Sequence, residues 1–394
     1  MMRLEAFILF LLSAAAPLLA QNTTCSTPPT PTVWPTASSF PVVSTLPDPF
    51  NYLHPSTARV ASNAEWYACR QPQIVQMLQQ YQYGFYPDHS QETVTATRSG
   101  NSVSIAVTAE GRRGTFSAQI NLPRPLPTTP VPVIIAIGGI DNNVYLNNEI
   151  AVVTFDYTSV APDSNGKTGA FWALYNGRDI GTLVAWAWGF HRVLDALILT
   201  APEIDSSLVG VTGCSRLGKA ALAAGLLDTR ITLTMPMSSG VQGLGPYRYY
   251  TLSGQGENLE NSKQGAPWWS NSVLGTFINQ SNRVPFDAHV IAAAIAPRAL
   301  VIDQGSGDPF VNSRGTATVI FPAAKAVYDW LGVGPNIGLA MRSGGHCDMS
   351  GYTNVLPFVL KVFKGTPTTR TYTDMTPWQA IPTAYPWTSN IPPK

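Results

Sequence analysis

Apolar and polar positions change rhythm along this chain. Between residues 64 and 83, Trp66, Ile74, Met77 and Leu78 recur at helical spacing, which predicts a helix with one buried face. From Glu92 to Leu122 the rhythm shortens to alternation, in Val94–Arg98, Val103–Val107 and Thr115–Ile120, as in antiparallel strands. Pro123 to Pro132 breaks the pattern. Beyond it the apolar runs become continuous: Val133–Ile137, Ile150–Phe155, Leu208–Val211, Ile231–Met235, Ala299–Asp303 and Ile337–Met341 suit strands of a parallel sheet buried on both faces. Longer stretches at Ile180–Leu199, Lys219–Leu227, Ala288–Ile295, Pro322–Leu331 and Val355–Lys364 read as helices, and a long insertion runs from Ser238 to Arg283. Strands alternating with helices predict a doubly wound, mostly parallel α/β sheet in a three-layer sandwich.

Composition narrows the setting. Net charge is +1 and only 12% of residues are charged, so no field points to nucleic acid or a membrane surface. Residues 1–20 carry Arg3, an apolar run at Ala6–Leu12 and a small-residue exit at Ala20, the pattern of a secretory signal peptide. No later stretch is expected to span a bilayer, and Asn22 and Asn279 then become glycosylation acceptors. Residues 21–47 form a Pro/Thr-rich arm, residues 48–365 the catalytic domain, and residues 366–394, with six prolines, a surface-wrapping or loose tail.

One stretch carries the chemistry. Val211-Thr-Gly-Cys-Ser-Arg-Leu-Gly-Lys219 follows an apolar strand and opens an Ala/Leu-rich helix. A sharp strand-to-helix turn needs glycines around a strained serine, so Ser215 is a candidate nucleophile of an α/β-hydrolase, although the second glycine comes one residue later than in G-x-S-x-G. Helix-terminal amides, with a donor from Gly138-Gly139, would face a developing oxyanion. A serine needs a base and an orienting acid. His346, in Gly-Gly-His-Cys347, follows the last strand, where the chain order of these hydrolases puts the base. Asp308, in Gly-Ser-Gly-Asp-Pro, is the candidate acid, with Asp303 second; His54, His89, His191 and His289 read as structural. Zinc spacing is absent and no metal or cofactor is expected. Of three possible cysteine pairings, Cys214 with Cys347 is favoured because each adjoins one half of a Ser–His pair, leaving Cys25 with Cys69.

Gly-Cys-Ser-Arg-x-Gly-Lys, the later Gly-Gly-His-Cys, Pro267-Trp-Trp-Ser270 and Ala296-Pro-Arg298 together resemble the glucuronoyl esterases, family 15 of the carbohydrate esterases, over roughly residues 50–365. The resemblance implies a secreted, monomeric serine esterase cleaving esters between 4-O-methyl-glucuronic acid on glucuronoxylan and lignin alcohols. It implies Ser215 as nucleophile, His346 as base, Arg216 in the oxyanion hole, and Lys219, Glu260, Trp268 and the Phe310 region at the sugar. The chain departs from the fungal pattern Pro-x-Glu-Ser-Gly, where it reads Pro236-Met-Ser238-Ser-Gly240: the acid is missing there, and some bacterial relatives place it where Asp308 lies. Two other readings stay open, an esterase for another plant-wall or small-molecule ester, and a catalytically impaired carbohydrate-binding relative.

Overall fold

The computed structural model describes Cys25, residues 30–253 and residues 256–393; the expected signal peptide and Asn22 lie outside them. Nine strands form one sheet in the order β1-β2-β3-β5-β4-β6-β7-β8-β9. β1 (Glu92–Ser99), β2 (Ser102–Ala109) and β3 (Arg112–Asn121) make the antiparallel meander that the alternation predicted. β3 joins β5 (Ala151–Phe155) antiparallel, and from there β4 (Val131–Ala136), β6 (Ile204–Cys214), β7 (Leu233–Met237), β8 (Ala299–Gly305) and β9 (Ile337–Arg342) run parallel.

The continuous apolar runs are explained by burial on two faces. In β4, Val133 and Ile135 enter one core while Ile134 enters the other; in β5, Val153 and Val152 divide the same way. Each such side chain contributes about 1.5–3 kcal/mol by leaving water. The first core is closed by the helix Thr182–Thr200, which buries Trp186 and Trp188. This helix is apolar and long enough to cross a membrane, contrary to expectation, but 83% of its most apolar window is buried in the fold. The helix Ser350–Lys364 covers the second core.

The arm and tail are both packed. Phe40 and Leu46 are buried, and Leu46 N–H donates to Ala384 O at 2.8 Å. The tail runs beside β9, where Leu339 N–H donates to Tyr372 O, then places Trp387 against Phe50, and Trp330 Nε1–H donates to Pro392 O. The wrapping alternative therefore holds.

Candidate active site

β6 ends at Cys214 and the helix Arg216–Leu227 starts two residues later, so Ser215 alone makes the turn. Its φ of 59° and ψ of −129° are unusual for a residue with a side chain and cost on the order of 1–3 kcal/mol. The turn is held by Ser215 N–H donating to Met237 O at 2.9 Å and by Lys219 N–H donating back to Ser215 O at 3.0 Å. A Cβ on Gly213 would sit 2.6 Å from Leu217 O, and one on Gly218 would sit 2.8 Å from Met237 O. The late second glycine is thus set by the approach of the helix to β7.

Ser215, Ser238, Asp308 and His346 all follow the carboxyl ends of parallel strands, β6, β7, β8 and β9 respectively. One end of the sheet therefore carries residues up to 131 positions apart in the chain. His346 Nδ1–H donates to Asp308 Oδ2 at 2.8 Å, and the Asp308 side chain is fully withdrawn from solvent. Asp308 Oδ1 accepts the N–H groups of Phe310 at 2.9 Å and Val311 at 3.3 Å. Burial pushes this carboxyl up, but the bonds from His346 and Phe310, aided by nearby Ser238, outweigh it and hold the group below its ordinary value. It is the ionised partner an imidazolium needs.

Asp303, the second choice for the acid, is engaged elsewhere. Its carboxylate accepts from Arg342 Nε at 2.9 Å, and burial, partly offset by Arg342, pushes it up to about 6. Arg342 also donates to Gly345 O at 2.7 Å, fixing the loop that carries His346. The other buried histidines are structural: His191 bonds Ala224 O and Tyr86, and His289 bonds Pro47 O, with burial lowering it to about 4.

Both expected disulfides are present, Cys214–Cys347 and Cys25–Cys69, each with a Cα separation of 5.6 Å. Both sulfurs of the first and a ring nitrogen of His346 lie within 4.8 Å of one another; with the sulfurs covalently paired, only the imidazole could ligate a metal. Phe310 meets the His346 ring edge-on at 5.0 Å and is 63% exposed, leaving an apolar surface beside the base.

A cavity of about 350 Å³ opens next to Arg216, walled by Trp268 and Trp269. Glu257 lines it, but Glu260 does not: Glu260 lies in the first turn of the helix Leu259–Gly265, and its Oε1 accepts Asn279 N–H at 2.9 Å. This corrects the assignment of Glu260 to the sugar. Lys219 is buried and donates to Ser239 O and Val241 O at 2.7 Å each and to Glu257 Oε2 at 2.5 Å. Its three ammonium protons are thus spent inside the protein, and the group reaches the cavity through Glu257 rather than directly. Arg216 pairs with Asp163, a residue the sequence reading did not single out. Asn279 is exposed, as a glycosylation acceptor must be.

The sheet, with a strained serine elbow after β6 and an Asp–His pair after β8 and β9, has the architecture of the α/β-hydrolase fold. The family described as "Glucuronyl esterase, fungi" matches residues 105–332. The chain is 36% identical over 323 residues to a 4-O-methyl-glucuronoyl methylesterase of Podospora anserina, covering 79% of this chain and 66% of that one, just under two thirds. It is 33% identical to one of Neurospora crassa, covering 79% of this chain and 80% of the relative. Among solved structures, a glucuronoyl esterase of carbohydrate esterase family 15 from Caldicellulosiruptor kristjansonii superposes with a TM-score of 0.82 at 32% identity, covering 90% of this chain and 98% of the other. A mutant glucuronoyl esterase of Sporotrichum thermophile, in complex with methyl 4-O-methyl-β-D-glucopyranuronate, gives 0.81 at 27% identity, with 94% and 99% covered. The chain belongs to the glucuronoyl esterase family, a group of carboxylic ester hydrolases.

Proposed function

We propose that this protein is a secreted esterase hydrolysing esters of 4-O-methyl-glucuronic acid on glucuronoxylan, including those to lignin alcohols. The observation that carries the reading is the 2.8 Å bond from His346 to the buried Asp308, on loops tied to the Ser215 elbow by the Cys214–Cys347 disulfide. His346 Nε2 takes the Ser215 proton as Oγ attacks the uronoyl carbonyl, and Asp308 balances the imidazolium. Backbone amides at the helix start, with Arg216 beside them, stabilise the tetrahedral oxyanion. The alcohol leaves with the proton from Nε2, and water then releases the acyl group by the same steps reversed. The sugar occupies the cavity against Trp268 and Trp269, with Glu257 accepting from its hydroxyls.

Support for the uronate comes from the names of the relatives and the ligand of the Sporotrichum structure. Secretion is supported by the signal-like residues 1–20 and by two disulfides. Purified enzyme is assayed on benzyl glucuronate and on acetylated xylan beside Ser215→Ala. The expected result is turnover of the glucuronate that Ser215→Ala abolishes. Preference for the acetyl ester would move the reading to another plant-wall ester, and wild-type rates no higher than Ser215→Ala on both would leave only a binding protein.

A further inference from the structure

Asp163 lies in the loop between the short helices Tyr157–Val160 and Ala170–Tyr175, in a Pro-Asp-Ser-Asn-Gly turn with no motif around it. Three side chains from two distant stretches converge on its carboxylate. Oδ2 pairs with Arg216 Nε, the residue directly after the proposed nucleophile. Oδ1 accepts Trp268 Nε1–H and Trp269 Nε1–H, both at 2.8 Å. Trp269 in turn lies 5.3 Å from the buried Lys219 ammonium, which holds Glu257.

We propose that Asp163 is a positioning residue that sets the oxyanion arginine and the aromatic sugar wall from a single carboxylate. This rests on the esterase reading above. A guanidinium on a long stem that is 38% exposed samples many rotamers unless something fixes it. Two adjacent indoles present flat faces to a sugar only if their N–H edges are anchored. One oxygen does each task, so the tasks can be separated chemically. Asp163→Asn keeps a carbonyl oxygen for the indoles and removes the ionic partner of Arg216. Asp163→Ala removes both.

The test is steady-state hydrolysis of benzyl glucuronate by wild type, Asp163→Asn, Asp163→Ala, Arg216→Ala and the double variant Asp163→Asn/Arg216→Ala, with melting temperatures taken alongside. Asp163→Asn is expected to lower kcat about tenfold with KM within about twofold, because the arginine acts on the transition state. Asp163→Ala is expected to lower kcat similarly and to raise KM at least ~fivefold as the indole wall loosens. In the Arg216→Ala background, Asp163→Asn is expected to change kcat less than about twofold, since both changes remove one interaction. Independent, multiplying effects on kcat would overturn the proposal, as would an unchanged kcat in folded Asp163→Asn. If Asp163→Ala does not fold, the asparagine variant and the cycle still decide. A wild type inactive on every ester would sink the esterase reading and this role with it, whereas an active wild type with multiplying effects would sink this role alone.

Discussion

Replacing Asp308 by Asn isolates the acid of the proposed triad with little disturbance to its surroundings. The amide oxygen can keep the two backbone bonds from Phe310 and Val311, so the loop retains its anchors. The amide NH₂ then occupies the place of Oδ2, 2.8 Å from His346 Nδ1, where it can only donate. The imidazole must accept there, which puts its own proton on Nε2 and leaves no lone pair for the Ser215 proton. Loss of a hydrogen bond to a charged group costs about 1.5–3 kcal/mol. The wrong tautomer raises the total toward the ~10⁴-fold loss seen when the acid of a well-studied triad is changed in this way. A fall in kcat of about 10²–10⁴ is expected, with KM on benzyl glucuronate little changed and the melting temperature within a few degrees of wild type. The assay is kcat and KM at fixed pH with calorimetry on the same samples. A folded Asp308→Asn enzyme that retains more than about a third of wild-type kcat would refute the assignment, because no other carboxylate is bonded to His346 among the described residues.

Three further outcomes follow from the same geometry. Ser215→Gly should abolish turnover yet leave the melting temperature equal or higher, because glycine removes the strain of φ 59° at a cost in unfolded-chain entropy of under ~1 kcal/mol; a clear fall in calorimetric stability would count against strain at the elbow. Lys219→Met should destabilise by about 3–5 kcal/mol by leaving Glu257 without its cation, and a Lys219→Met/Glu257→Gln double variant should recover part of that loss; denaturant titration showing simple additivity would contradict the coupling. Asp303, raised from 3.8 to about 6 by burial, favours its neutral form in the fold. Its contribution is therefore full below about pH 4 and is lost as pH rises through 6, on the order of 3 kcal/mol. Calorimetry from pH 4 to 8 should show a fall in stability that Asp303→Asn flattens, and parallel profiles for the two proteins would exclude this origin.

The parallel strands were legible because burial on both faces leaves no polar positions, and each apolar run in the sequence found its strand. β6 was read too short: its apolar run begins only at Leu208, yet the strand begins at Ile204, beyond an irregularity in its register with β4. Ser215, His346 and Asp308 could be picked out as candidates because each follows a strand end, a position that sequence order specifies. The cavity was less so. Glu257 and Glu260 are three residues apart on either side of the Asn258 helix cap, and one bonds Lys219 while the other accepts from Asn279. Asp163 carried no signal, since its importance lies in what converges on it from residues 216, 268 and 269. The structural weight of the arm and tail was hidden too, because proline-rich segments pack through isolated contacts such as Trp387 rather than through a period.

In the sheet, β6 and β9 are separated by β7 and β8, about 14 Å from axis to axis at ordinary strand spacing. Cys214 and Cys347 nevertheless meet, so the end of β6 and the loop after β9 are locked together across the intervening strand ends. In the proposed triad, the register of hydroxyl and imidazole would then be fixed after translation, by an oxidation, and not by the sheet alone. A chain made in a reducing cytoplasm should acquire the same sheet and the same cores without that register. Specific activity in a recombinant preparation should therefore track the fraction of molecules that are crosslinked, making catalysis a readout of oxidative maturation and a periplasmic or secretory host the sound choice for production.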